Sequence, residues 1–238
     1  CTERARKVLH IPRILYSWRC HEASTAANPE SKLYAYEAGK RAVSAHLRRQ
    51  NVRAKVLLTS NYGFHRIRFL FGSSKILINS FANINRQTDV KVVYYDKACN
   101  NSVTIPQDCD YVLFMHACKV RLSKGFLEEL LSGCERPGIG LVCARVYDKK
   151  GRLTSDIRMA GVRDPFGKSM EGLRKGCTGY FHRAVLHQEV EAPTDCFLVK
   201  GSLLKGKESL TIEALCEWIQ EQGYRMVYHP WAVVYESR

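Results

Sequence analysis

What this 238-residue chain lacks narrows its possibilities first. No apolar run approaches the ~18–20 residues a membrane helix needs; the longest are short pieces such as Tyr111–Met115. The start shows no charged, apolar and small pattern of a secretory leader. Ten cysteines are present, yet there is no Cys-x-x-Cys and no His-x-x-x-His, which removes zinc-finger and ribbon readings. Spread without paired spacing, the cysteines read as free, buried thiols in a reducing cytosol. Acid is scarce: 23 Asp+Glu against 37 Lys+Arg leave a net charge of +14. The basic residues are scattered, with the densest groups at Arg4–Lys7, Arg48-Arg49 and Lys205–Lys207. No basic run, aromatic RNP-like strand or zinc knuckle accompanies them, so nucleic acid is not an expected partner. The charge suits an anionic ligand such as a nucleotide diphosphate, or an anionic membrane surface. The expected location is the cytoplasm, free or against the inner face of the membrane. There is no internal repeat. The first residue is Cys1, which reads as the start of an excised fragment or a processed product.

What is present is globular, with 45% hydrophobic and 25% charged residues. Lys7–Ile11 and Ile14–Arg19 are expected to be extended, separated by Pro12. Asn28-Pro29 starts a helix predicted over 30–49, with Leu33, Tyr36, Val43 and Leu47 on one face. Two strands, 55–60 and 65–71, flank Asn61-Tyr62-Gly63 as a hairpin. Gly72-Ser73-Ser74 reads as a linker, dividing the chain into 1–72 and 73–238.

Beyond it, Ile76–Ile78, Val90–Tyr95 and Asp110–Met115 are β-rich, the last an apolar run suited to a strand covered on both faces. Ser123 is expected to cap a helix carrying Phe126, Leu127, Leu130 and Leu131. Strands follow at Gly138–Tyr147 and Asp195–Lys200. A last helix through Ile212, Leu215, Trp218 and Ile219 closes at Gly223, and Arg225–Tyr235 is extended. Mixed strands and helices in this order indicate an α/β sheet flanked by helices.

Three stretches together resemble bacterial glycosyltransferase family 2, in the rhamnosyltransferase-like group that builds surface polysaccharides. The first is His10–Arg19 with Ser24-Thr25-Ala26 and Tyr34–Ala42. The second is Asp110–Leu131. The third runs from Gly138–Tyr147 through Ala160-Gly161-Val162 and Gly179–Arg183 to Gly223–Tyr228. Their order covers nearly the whole chain. The resemblance implies a GT-A fold, an α/β sandwich that binds a nucleotide sugar at strand ends and passes the sugar to a glycan acceptor. It also implies that residues 1–72 hold the tail of an upstream transferase domain with a linking helix and hairpin, and that 73–238 form a second, reduced domain.

Such enzymes hold Mg2+ or Mn2+ on an Asp-x-Asp motif at the end of a buried strand, where the metal neutralises the departing diphosphate. The matching triplet here is His116-Ala117-Cys118. Hard cations require oxygen ligands, and both carboxylates are replaced. Three readings stand: a softer metal such as Zn2+ on His116 and Cys118, an eroded motif, or metal-free catalysis in which Lys119, Arg121 or another basic group stabilises the diphosphate. The family's general base would come from an acidic motif before the last helix. Its positions fall on Ile212 and Ala214, and Glu213 is the only acid, turned by ~100° around a helix. Glu213 is either a surviving base or a solvated carboxylate.

The nucleoside half is also short, because Val90 follows Lys75–Asn79 too soon for a full crossover helix and strand. Asp96, at a strand end, either touches a ribose or is a plain strand-end acid. Trp18, Trp218 and Trp231 read as sugar-stacking or core residues, and His182 and Arg183 as an acceptor-cleft or a surface loop. His229-Pro230 reads as a turn or strand break. Transfer is therefore expected to be impaired in this chain, with a silent module for partner or glycan binding as the alternative.

Overall fold

Asn28 opens the first helical segment: its side chain accepts the Glu30 N–H at 3.1 Å, and Pro29 follows where a missing donor is harmless. The computed structural model describes residues 5–9, 11–17, 19, 21, 24, 27–70, 76–78, 88–95, 102–116, 119–154 and 170–237. A 3-10 turn, Pro29–Lys32, runs into α1, Leu33–Arg49, which ends in basic residues that suit the negative end of its dipole. Leu47 is buried, Tyr36 and Val43 are half-buried, and Leu33 is exposed, so the predicted apolar face is only partly covered. Strands β1, Ala54–Leu58, and β2, His65–Phe69, form the expected antiparallel hairpin with Val56 opposite Ile67.

Among the described residues, the first of the two pieces expected before residue 20 forms no strand. Residues 5–9 and 11–17 belong to no helix or strand, and Val8, Leu9, Ile14, Leu15 and Tyr16 are exposed. A strand exists through its ladder, and no described edge runs alongside this segment. The linker at Gly72-Ser73-Ser74 lies outside the described residues.

A larger sheet begins with β3, Ile76–Ile78, and β4, Thr88–Tyr94, paired in parallel. It continues with β6, Tyr111–Met115, after a small β5, Val103–Thr104, and with β7, Val120–Leu122. Next come β8, Ile139–Tyr147, β9, Gln188–Glu189, and β10, Cys196–Lys200. The short β11, Ser209–Leu210, pairs with β5, and β12, Arg225–Glu236, closes the chain. The order across the sheet is β3-β4-β6-β10-β8-β12-β7, with β9 pairing on β12. Strand β10 is antiparallel to both β6 and β8, so β3, β4, β6, β8 and β12 all point one way.

Helix α2, Phe126–Cys134, covers one face and α3, Ile212–Glu221, the other. The two-residue period of a strand sorts the core between them. Tyr111, Leu113 and Met115 face α2 with Val142, Leu198 and Val227; Val112 and Phe114 face α3 with Cys143, Phe197 and Tyr228. This is the mixed α/β sheet flanked by helices that the sequence pattern indicates.

Two local expectations are corrected. Ser123 does not cap α2. Gly125 holds that position at φ +73°, a conformation that favours glycine, and the Ser123 hydroxyl instead accepts the Val233 N–H of β12 at 3.1 Å. His229-Pro230 does not end its strand. Both residues are buried in β12, and the missing proline N–H is absorbed by a register shift between His229 and Val233. At α3, Thr211 caps the start by accepting the Ala214 N–H at 3.1 Å, and Gly223 follows the end at φ +77°.

Gly140 lets α3 approach β8. A methyl there would stand 2.8 Å from Tyr224 Cβ, 2.9 Å from Leu203 Cδ1 and 3.0 Å from Ile219 Cγ2. Gly140→Ala is expected to cost about 1–3 kcal/mol, read as a lower urea midpoint with an unchanged m value.

Candidate functional site at the sheet edge

Ligands of open α/β sheets bind beyond the carboxyl ends of the parallel strands. Here that edge carries one connected row of polar and aromatic residues. Tyr95 follows β4, and its N–H continues the ladder by donating to the Met115 carbonyl at 3.1 Å. His116 follows β6, and its N–H donates to the Asp195 carbonyl at 2.9 Å. Counting on from the Phe197–Cys143 pair by two positions sets Asp195 opposite Arg145 of β8. Arg145 pairs with Val233, Tyr147 with Tyr235, and Tyr235 with Arg121. Strand alternation directs this row to the α3 side, where Tyr95, Tyr147 and Tyr235 pack on the core.

The row is basic and aromatic at its β8–β12–β7 end. The Tyr147 and Tyr235 rings stack at 5.7 Å between centroids. The guanidinium of Arg121 lies 4.5 Å from the Tyr235 ring centre and Lys175 Nζ 4.8 Å from it. Arg145 lies 5.0 Å from the Tyr147 ring centre. Such contacts place the cations without neutralising them. Arg145 is only 8% exposed, donates from Nη2 to the Cys177 carbonyl at 3.2 Å, and keeps a buried Nε that has no partner among the described residues. A buried guanidinium with an unmet donor is a place where an anion is favoured. Burial pushes the Tyr147 hydroxyl pKa up, with Arg145 partly opposing it, so the ring stays neutral beside the cations.

The other end is built around His116. Its Nδ1 lies 3.2 Å from the Tyr95 carbonyl, which can only accept, so Nδ1 is the donor in this contact. Tyr95 stands 5.8 Å from the His116 ring, and burial followed by the Asp195 charge raises its pKa. Among the described residues no group of three His, Cys, Asp or Glu is arranged to hold a metal ion. Mg2+ and Mn2+ are hard cations that take oxygen ligands, which the His116 imidazole does not supply.

The other expected residues fall as follows. Cys118, Asp96, Trp18 and Ala160-Gly161-Val162 lie outside the described residues. Glu213 sits exposed in the first turn of α3, while Ile212 and Ala214 on either side are half-buried. Trp218 is half-buried, donating to the Leu203 carbonyl at 2.8 Å with Lys207 Nζ 3.8 Å from its ring centre. Trp231 is half-buried with the Arg66 guanidinium 4.7 Å from its ring centre. His182 lies in a 3-10 turn, Tyr180–Val185, with its ring against Phe64 at 4.4 Å. Sequence reasoning overlooked Arg145, Lys175, Tyr147 and Tyr235. A signal existed for Arg145, the one charged residue in an otherwise uncharged, mostly apolar strand, Ile139–Tyr147.

No known family model matches the chain. It is 24% identical over 298 residues to an uncharacterized protein, y4gI, of Sinorhizobium fredii (strain NBRC 101917 / NGR234), a match covering 99% of this chain and 33% of that protein. The chain thus spans about one third of the length of this curated relative. A match of 298 residues against a chain of 238 leaves about 60 positions without a counterpart here.

Proposed function

We propose that this chain is a glycosyltransferase family 2-like domain of GT-A type, derived from bacterial surface polysaccharide synthesis, whose sheet edge binds the diphosphate of a nucleotide sugar with protein cations. The observation that carries the reading is the edge row itself. Where the resembled enzymes place paired carboxylates and a metal, this chain has His116, and three cations, Arg121, Arg145 and Lys175, stand farther along the same edge. Arg145 and Lys175 would hold the phosphoryl oxygens, and the stacked tyrosines keep both side chains in place. Charge-assisted contacts of this kind stabilise a leaving diphosphate as it develops charge.

Transfer to a glycan acceptor is impaired in this reading, because the only acid at the start of α3, Glu213, stands exposed in its first turn. The short spacing between Lys75–Asn79 and Val90 supports a trimmed nucleoside half. An upstream transferase domain in the full polypeptide would then carry the turnover. The second reading, a silent module for glycan or partner binding, rests on the same exposed Glu213.

Calorimetric titration with inorganic pyrophosphate and with nucleoside diphosphates, without metal, tests the proposal. Binding is expected in metal-free buffer, and Arg145→Gln should weaken it by about 10- to 100-fold, the worth of one charge-assisted contact. Binding that requires Mn2+ would restore the family's ordinary metal-held site. A protein indifferent to every nucleotide would leave the silent module.

A further inference from the structure

The most heavily buried charge among the described residues lies away from the sheet edge. Glu129 of α2 is 2% exposed, and its Oε1 meets Arg66 Nη2 at 2.5 Å and Arg68 Nε at 3.4 Å, both from β2. Its Oε2 faces His229 Nε2 of β12 at 3.5 Å. The carboxylate therefore fastens the N-terminal hairpin to the face of the sheet domain covered by α2. Arg66 also covers Trp231, and Arg136, just past α2, lies 4.7 Å from the centre of the Phe69 ring.

The fastened hairpin touches a second segment. Phe64 lies against His182 at 4.4 Å between ring centroids, and Phe69 meets His187 edge-on at 6.3 Å. His187 in turn meets the His229 ring at 4.4 Å. His182 has φ +55°, a conformation that a non-glycine residue keeps only where its surroundings impose it. Between these contacts runs the turn Tyr180–Val185, whose Ala184 N–H donates to the Thr178 carbonyl at 2.9 Å. One residue earlier, the Cys177 carbonyl accepts from Arg145.

We infer that Glu129 is a positioning residue: by clamping Arg66 and Arg68 it holds the hairpin aromatics against His182 and His187, and so orders the 177–187 segment that orients Arg145 at the sheet edge. The link to Arg145 rests on the anion-site reading; the clamp on 177–187 does not. The hairpin thereby acts as a built-in brace for a site it does not touch. The sheet contributes its own anchor, since Tyr228 donates to the Ala184 carbonyl at 3.1 Å, and the clamp predicts that this anchor alone is insufficient.

Hydrogen exchange by mass spectrometry tests it on the full chain, comparing the native protein with Glu129→Gln and Phe64→Ala. Both variants are expected to speed exchange across 177–187 by about tenfold or more, and Glu129→Gln to do so across 54–69 as well. Faster exchange confined to 54–69, with 177–187 unchanged, would overturn the inference. Phe64→Ala removes a half-buried side chain at the hairpin turn and keeps the test valid where Glu129→Gln does not fold. Pyrophosphate titration on the same proteins separates the two readings. A native protein that binds and a Glu129→Gln variant weakened about threefold or more support the brace reaching Arg145. A native protein that ignores pyrophosphate sinks the edge reading, while the exchange data still decide the clamp.

Discussion

Arg66→Met should lower the melting temperature by about 6–12 °C. Glu129 is buried at 2% exposure and its closest cation is Arg66. Removing one partner of a buried pair leaves a charge out of water and costs about 3–5 kcal/mol. The lower end applies here, because Arg68 remains at 3.4 Å with a half-exposed side chain. For a chain of this size ~1 kcal/mol moves the midpoint by ~2–4 °C. The double replacement Arg66→Met with Glu129→Leu should recover most of the loss, since an apolar pair has no stranded charge. Thermal melts followed by circular dichroism would show it; a single variant within about 2 °C of the native protein would mean that Glu129 is already satisfied without Arg66.

Acid should weaken the same joint. Burial, reinforced by Arg136 and Arg66, pushes the His187 pKa down from 6.5 to about 4. Burial, then His187, Arg66 and Arg136, holds His229 well below its ordinary value. Glu129, 3.5 Å from His229, favours the charged ring, but its own charge is taken up by Arg66 and Arg68, so desolvation prevails. Both histidines are thus neutral in the folded protein and gain protons on unfolding. The stability they contribute is complete above about pH 6.5, falls as the pH drops toward 4, and for His187 amounts to about 3 kcal/mol. Urea titrations between pH 7.5 and 4.5 should show this decline. Because carboxylates also lose stability in acid, His187→Leu is the control, and its decline should be shallower. Equal slopes for both proteins would remove His187 from the account.

Much of the fold is legible locally. Asn28-Pro29 and the spacing of Tyr36, Val43 and Leu47 mark α1, and Asn61-Tyr62-Gly63 marks the hairpin. The apolar run Tyr111–Met115 shows that β6 is covered on both faces, because each face demands its own set of side chains. These signals lie within a few residues of one another, where period and capping chemistry act. The Ser123 expectation failed for the opposite reason. Nothing local announces that its hydroxyl has a better use on Val233, 110 residues away.

The candidate site is of that second kind. By itself the sequence determined the basic excess, the absence of any acid from His116-Ala117-Cys118, and the helices and strands that could be assembled. Only the tertiary structure decided which charges meet. Register across β4, β6, β10, β8, β12 and β7 aligns Tyr95, His116, Asp195, Arg145, Tyr235 and Arg121 along one edge, and the docking of β2 on α2 buries Glu129 between two arginines. Electrostatic energy depends on distance and burial, and neither quantity exists for residues far apart in the chain until the ladders bring them together.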